Sequence, residues 1–86
     1  MSAREQPHSL AATRSGEVVE IRRILFQGLR EHCSDLDIHE GDVLRCRADT
    51  ASQLILETTH GRTVALQRDW ARFIEVVPEL PLEART

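Results

Sequence analysis

Aromatic residues are scarce in this sequence, which has one Trp, two Phe and no Tyr among 86 residues. The core must therefore be aliphatic, and few ring faces remain on which nucleic-acid bases could stack. A chain of this length forms one domain and buries only about 60% of its unfolded surface, so its core is small. The composition predicts one small domain packed from Leu, Ile, Val and Ala.

Lysine is absent, and the eleven basic residues, all of them Arg, leave a net charge of −3. Nucleic-acid-binding domains usually carry a basic surplus, so the acidic total argues against that class. A small nucleic-acid-binding barrel remains an alternative, because several arginines could share one outer surface; these are Arg22, Arg23, Arg45, Arg47 and Arg62. We interpret them instead as solvated strand faces, paired with Glu17, Glu20 and Glu57.

Long apolar runs are also missing, since no stretch approaches the roughly 18 residues that a membrane span needs. The first ten residues lack the apolar segment of a secretory signal. The two cysteines, Cys33 and Cys46, are 13 positions apart and form no CxxC pair. Isolated cysteines without a secretory signal are typical of reduced thiols inside the cell. We therefore expect a cytoplasmic protein that does not insert into the membrane.

Five segments have the alternation or the β-branched composition of strands. They cover residues 18–25, 43–48, 54–59, 62–66 and 73–77. Gly16 and Gly41 are expected at turns that lead into strands. His60 and Gly61 are expected to form a two-residue hairpin loop, in which Gly supplies a positive φ. The pattern predicts a mainly β fold, a small and partly open five-stranded barrel.

Two helical segments interrupt the strands. Leu29, Cys33 and Leu36 recur at spacings of four and three, which predicts a short helix over residues 27–36, after the first strand. Asp37 then stands where a left-handed C-terminal cap is expected, a conformation that Asp adopts more readily than most residues. Before the last strand, a helical turn over residues 67–72 is expected to pack Ala71 against the barrel.

Several short motifs, taken in their order and spacing, resemble the FeoA domain. They are Ser9-Leu10 followed by Ser15-Gly16-Glu17, Leu36-Asp37-Ile38 leading to Gly41-Asp42, and Val64-Ala65-Leu66 leading to Ala71, Ile74 and Val76. The resemblance covers about residues 9–77, which we take as the domain, with residues 1–8 and 78–86 as flexible tails. The family usually has Gly where this chain has Asp37, so we expect Asp37→Gly to be neutral or slightly stabilising.

The resemblance implies an SH3-like barrel and a small, non-catalytic accessory protein of bacterial ferrous-iron uptake. It also implies a partner, the cytoplasmic part of the FeoB iron permease. The same type of domain stands at the C-terminus of iron-dependent repressors, so a stand-alone metal-sensing module is a second alternative. No catalytic motif opposes this interpretation, because the sequence has neither a Gly-x-Ser-x-Gly elbow nor a Gly-rich phosphate loop. We expect no enzymatic activity.

The side chains that the predicted strands and helices do not use are the candidates for metal and partner sites. The His, Cys and acidic residues lack the tight local spacing of a zinc site, so no cofactor is predicted. His32, His39 and Glu40 are the remaining candidates for a weak, transient transition-metal contact. Trp is a frequent anchor of protein interfaces, which favours a docking face near the helix and the 67–73 turn. The residues assigned to this face are Phe26, Leu29, Trp70 and Phe73.

Overall fold

A computed structural model describes residues 7–79 as one antiparallel sheet with short helices between its strands. The strand order is β1-β6-β2-β3-β4-β5. In chain order the elements are β1 (His8–Ser9), a 3-10 helix (Leu10–Ala12), β2 (Val18–Ile24), α1 (Gln27–Asp35), β3 (Val43–Asp49), β4 (Gln53–Glu57), β5 (Thr63–Gln67), α2 (Arg68–Ala71) and β6 (Ile74–Pro78). The predicted mainly β, SH3-like fold is confirmed.

The five predicted strands are all present, and the described residues add a sixth, β1, which the sequence did not indicate. This strand has only two residues and pairs with β6 through His8–Val76 and Ser9–Glu75. His8, which was predicted to lie in the N-terminal tail, and Pro78, which was predicted to begin the C-terminal tail, therefore belong to the sheet. Residues 1–6 and 80–86, which hold the rest of the predicted tails, lie outside the described residues.

Strand β2 lies between β6 and β3 in the sheet and pairs with both. Its first three residues pair with β3, and the stretch from Val19 to Ile24 pairs with β6. The register with β6 shifts between Ile21 and Arg23, and the register of β3 with β4 shifts between Cys46 and Ala48. Irregularities of this kind bend a strand and increase its twist, which allows a small sheet to curl around one core.

The core is aliphatic, as the composition predicted. In β3 the side chains of Leu44 and Cys46 are at most 1% exposed, whereas Arg45 and Arg47 face solvent. Ala71 in α2 is fully buried, as predicted for the helical turn. The other core residues include Leu10, Val19, Ile21, Ile24, Leu29, Cys33, Ile38, Leu54, Leu56, Leu66, Ile74 and Val76.

Helix α1 ends in the left-handed cap that the sequence predicted at Asp37. Asp37 has φ of 66°, its amide donates to the Ser34 carbonyl, and the Ile38 amide donates to the Cys33 carbonyl at 2.8 Å. This pair of bonds is a Schellman motif, and the buried Ile38 supplies the hydrophobic contact that accompanies it. The cap turns the chain back beneath the helix toward β3.

The loop between β4 and β5 differs from the prediction. The expected two-residue loop is instead a three-residue loop over residues 59–61, closed by the Thr58 amide donating to the Arg62 carbonyl at 2.8 Å. The Gly61 amide donates to the Thr58 carbonyl, and Gly61 alone in the loop has a positive φ, of 81°. Three-residue hairpin loops favour this turn, in which a Gly adopts the left-handed conformation. His60 therefore does not need a positive φ.

Arg68, the first residue of α2, ties three segments of the barrel together. Its guanidinium donates to the Thr50 carbonyl at 2.9 and 2.7 Å and to the Ala11 carbonyl, and it lies 4.0 Å from the Asp49 carboxylate. These contacts join α2 to the β3–β4 turn and to the 3-10 helix. The open side of the barrel is therefore closed by side-chain hydrogen bonds as well as by packing.

We expect Arg68→Ala to lower the free energy of unfolding by about 2 kcal/mol, because hydrogen bonds to a charged group contribute roughly 1.5–3 kcal/mol. Arg68→Lys should recover only part of this loss, since an ammonium cannot span the same carbonyls as a guanidinium. Urea denaturation measures both values. Arg45→Ala, which removes an exposed arginine without an ion pair in residues 7–79, is the control; equal losses for the two alanine variants would contradict this role of Arg68.

Candidate functional site

Four large hydrophobic side chains are exposed at the two places where a helix joins a neighbouring strand. Leu25 and Phe26 lie between β2 and α1, Trp70 lies in α2, and Phe73 lies between α2 and β6. They are 46%, 51%, 44% and 36% exposed, respectively. The two junctions meet because the Leu25 amide donates to the Phe73 carbonyl at 3.1 Å. We call these four residues the aromatic face.

The rings of Phe26 and Phe73 form the centre of the aromatic face. Their centroids are 5.0 Å apart and their planes are inclined by 69°, an edge-to-face contact. The backbone explains why Phe73 is exposed, because the next residue, Ile74, begins β6 and is fully buried. Alternation along this stretch therefore turns Phe73 outward.

Phe26 occupies the N-cap of α1, where its residue type is a poor choice for helix stability. Its backbone is extended (φ −127°, ψ 144°), and no side chain caps the first turn. Ser, Thr, Asp and Asn are preferred at this position because their oxygen atoms accept hydrogen bonds from the free amides. Neither capping nor complete burial accounts for Phe26, which makes it a candidate for contact with a partner.

Helix α1 crosses the mouth of the barrel beside the aromatic face. It begins next to Phe73, passes Trp70 with the His32 ring 6.0 Å away between centroids, and ends where Asp37 meets His60. Its inward side holds Leu29, which is 1% exposed, and Cys33, which is fully buried. The assignment of Leu29 to the docking face was wrong: this side chain belongs to the core and is not available to a partner.

The three candidate metal ligands are not brought together. His32 lies against Trp70, whereas Nδ1 of His39 lies 3.4 Å from the Asp42 carboxylate. Glu40 accepts a hydrogen bond from the Ile24 amide at 2.8 Å and lies 3.6 Å from Arg30. The amide and then Arg30 hold the pKa of the Glu40 carboxyl below its usual range. Each candidate therefore has a separate role, and metal contact stays a prediction.

The cysteines do not add metal ligands to this set. Both are buried and free, and burial raises the pKa of the Cys33 thiol to about 11 and raises that of Cys46 as well. A neutral buried thiol is a poor metal ligand. Across residues 7–79, no three His, Cys, Asp or Glu side chains are grouped so that they could hold a metal ion.

Asp37 and His60 form an ion pair that the sequence did not predict. Oδ2 of Asp37 lies 2.8 Å from Nδ1 of His60, which joins the end of α1 to the β4–β5 loop. The hydrogen bond and the charge of Asp37 raise the pKa of His60 above its ordinary 6.5, and His60 holds the pKa of Asp37 below 3.8. This contact opposes the gain in stability expected from Asp37→Gly. The substitution suits the positive φ of this position better, but it removes the ion pair.

The pair makes stability depend on pH in a defined window. A raised His60 pKa stabilises the fold below about pH 6.5, and this contribution is lost as pH rises through the raised value. A lowered Asp37 pKa stabilises the fold above about pH 3.8, and this contribution is lost as pH falls through the lowered value. We expect the difference in urea midpoint between the wild type and His60→Gln to be largest from about pH 4 to 6.5. A difference that is constant from pH 4 to 9 would contradict this.

Arginines elsewhere on the barrel partly follow the pairing expected for solvated strand faces. Nη1 of Arg47 lies 3.1 Å from Glu57, as predicted, and Arg23 pairs with Glu75 at 3.9 Å. Glu17 instead accepts a hydrogen bond from the Arg14 amide. Of the helices in residues 7–79, none has the length and apolar character needed to cross a membrane.

The small antiparallel barrel has the SH3-like fold. A family model described as the FeoA domain matches residues 8–78. The chain therefore belongs to the FeoA family, and this confirms the resemblance found in its motifs. The family marks it as a small accessory protein of iron transport. A comparison with curated protein sequences gives no significant match.

Solved structures agree with this assignment at the level of the fold. The crystal structure of an iron uptake regulatory protein, FeoA, has a TM-score of 0.79 and 14% identity, over 86% of this chain and all of that chain. A FeoA-like protein from Clostridium acetobutylicum has a TM-score of 0.77 and 18% identity, over 94% and 93%. A manganese-dependent transcriptional repressor in complex with manganese is also similar (0.77, 25%), but this chain spans only 37% of its length.

Proposed function

We propose that this protein acts without catalysis in ferrous-iron uptake, in the cytoplasm, by binding the cytoplasmic part of a FeoB-type permease through the aromatic face. The family supports the iron-transport role, and the surface of the barrel supports the mode of action. One observation supports the choice of surface: the one Trp and both Phe of the whole sequence are exposed, and the two Phe rings are in contact.

This placement is unfavourable for a protein that works alone. Burying a large apolar side chain stabilises a fold by about 1.5–3 kcal/mol, and this small barrel leaves its largest side chains half exposed. Aromatic side chains are, by contrast, the usual energetic centres of protein interfaces. The core is packed without them from aliphatic residues, so their position is explained by contact with a partner.

The test is direct binding of the full chain to the purified cytoplasmic domain of the FeoB-type permease from the same genome, measured by calorimetry. We expect Trp70→Ser and Phe73→Ser to weaken binding at least about tenfold, as the loss of an interface anchor does. Val43→Ser is the matched control, because Val43 is as exposed as Phe73, at 36%, but lies on β3. Absence of binding by the wild type would contradict the proposed partner, and equal effects of all three variants would contradict the proposed face.

A further inference from the structure

The arginines near the aromatic face differ in whether their charge is already engaged. Arg23 lies 3.9 Å from Glu75, and Arg30 lies 3.6 Å from Glu40 while donating to the Ile24 carbonyl. Arg68 is held by backbone carbonyls and Asp49. Arg72 is different: within residues 7–79 it has no carboxylate within 4.0 Å, and its guanidinium carbon lies 5.9 Å from the Phe73 ring centroid.

The unpaired guanidinium borders a cleft that continues the aromatic face. The cleft has a volume of about 220 Å³, and its walls include Leu25, Arg72, His8 and Glu75. The Glu75 carboxylate, which also lines the cleft, is engaged with Arg23. An apolar side chain seated on Leu25 and Phe73 would therefore place its neighbours within reach of a cation that lacks a counter-charge.

Asp69, in the short helix α2 that precedes Arg72, is an anion without an ion pair within residues 7–79, but it lies elsewhere. Asp69 has no ion pair in the described part of the chain, and it lines a different cleft, with Ser52, Gln53 and Gln67. On the side of the face next to Leu25 and Phe73, the negative charge of Glu75 is paired with Arg23, so the charge that lacks an ion pair within residues 7–79 is the positive charge of Arg72. This asymmetry favours a ligand in which an apolar residue is accompanied by a carboxylate.

We propose that the aromatic face recognises an acidic amphipathic segment of the permease, with an apolar side chain on Leu25 and Phe73 and a carboxylate on Arg72. The inference deepens the proposed function and rests on it. A guanidinium binds a carboxylate through two parallel hydrogen bonds. Contact with the Phe73 ring orients Arg72 before binding, which reduces the side-chain entropy lost in the complex.

The net charge of the protein does not oppose this recognition at short range. The chain carries −3 overall, which repels an acidic partner at a distance. Salt at physiological strength screens exposed charges beyond about 8 Å, so the local contact with Arg72 dominates once the surfaces meet. The acidic segment of the permease is therefore recognised by its contact with Arg72 beside an apolar surface, and not by long-range electrostatic attraction to the whole protein.

Calorimetry with the purified cytoplasmic domain of the permease tests the inference. We expect Arg72→Gln to weaken binding about tenfold, because a charge-assisted hydrogen bond is lost. Arg72→Lys should recover part of the affinity. Asp69→Asn should leave binding unchanged or tighten it slightly, since it removes a charge that an acidic segment does not need. Arg45→Gln, an exposed arginine on β3, is the matched control and should bind as the wild type does.

Several outcomes would overturn the inference. If Arg72→Gln binds as tightly as the wild type, Arg72 does not contact a carboxylate of the partner. If Asp69→Asn binds more weakly, the partner segment is basic and not acidic. An equal loss for Arg45→Gln would show unspecific attraction. If Phe73→Ser loses binding while Arg72→Gln does not, the proposed function stands and this inference fails. If the wild type does not bind, both are wrong. Melting curves of each variant show whether it is folded.

Discussion

Leu29→Ala is expected to lower the free energy of unfolding by about 3 kcal/mol, within the range of 2–5 kcal/mol for such substitutions in cores. Leu29 is 1% exposed and belongs to the single core cluster of the barrel. Helix α1 has nine residues, and isolated helices of that length are marginal in water. It therefore depends on its two buried side chains, Leu29 and Cys33, for attachment to the barrel.

The corresponding fall in melting temperature is roughly 12–24 °C, since about 1 kcal/mol shifts the midpoint of a domain this size by 4–8 °C. Trp70→Ala is the matched control, because Trp70 lies across from the same helix but is 44% exposed. We expect it to change stability by less than about 1 kcal/mol. Thermal unfolding of the two variants tests this prediction. A larger fall in melting temperature for Trp70→Ala than for Leu29→Ala would contradict the burial of Leu29 and the exposure of Trp70.

Local chemistry predicted much of the fold correctly. The spacing of Leu29, Cys33 and Leu36 located α1, and the left-handed tendency of Asp located its cap at Asp37. Alternation along β3 predicted which side chains face inward. The same helical spacing already placed Leu29 on the inward face, so its assignment to the docking face ignored a signal that was present in the sequence.

The remaining features depend on residues far apart in the chain. β1 has two residues and exists only because β6 pairs with it, 66 positions later at Ser9–Glu75. The guanidinium of Arg68 reaches the Ala11 carbonyl, 57 positions away, and no local pattern signals that contact. The Asp37–His60 pair likewise joins two loops 23 positions apart. Tertiary structure alone brings these groups together.

The aromatic face shows both the use and the limit of sequence patterns. The assignment of Phe26, Trp70 and Phe73 rests on their being large residues left over from the strands and the helix, and the structure exposes each of them. Leu25 was missed because it was placed at the end of the first strand. In the structure β2 ends at the buried Ile24, so alternation places the side chain of the next residue, Leu25, on the outside.

Phe26→Ser is expected to weaken binding to the permease domain about 30-fold while leaving the fold nearly as stable. A hot-spot residue contributes at least about 2 kcal/mol to binding, which is roughly a 30-fold change in Kd. The loss of stability is small because two effects offset each other. Removing the half-exposed ring gives up about 1 kcal/mol of packing against Phe73, and a Ser oxygen at the N-cap restores about the same amount by accepting a hydrogen bond from the first turn.

Phe26→Ala separates these two contributions. It removes the same ring without supplying a cap, so it should be about 1 kcal/mol less stable than Phe26→Ser in urea denaturation and equally weak in binding. That result would show that the chain gives up a helix cap at position 26 in order to present an aromatic ring. If Phe26→Ser instead binds the permease domain like the wild type, the ring is not part of the interface, and its place at the N-cap of α1 has no functional explanation.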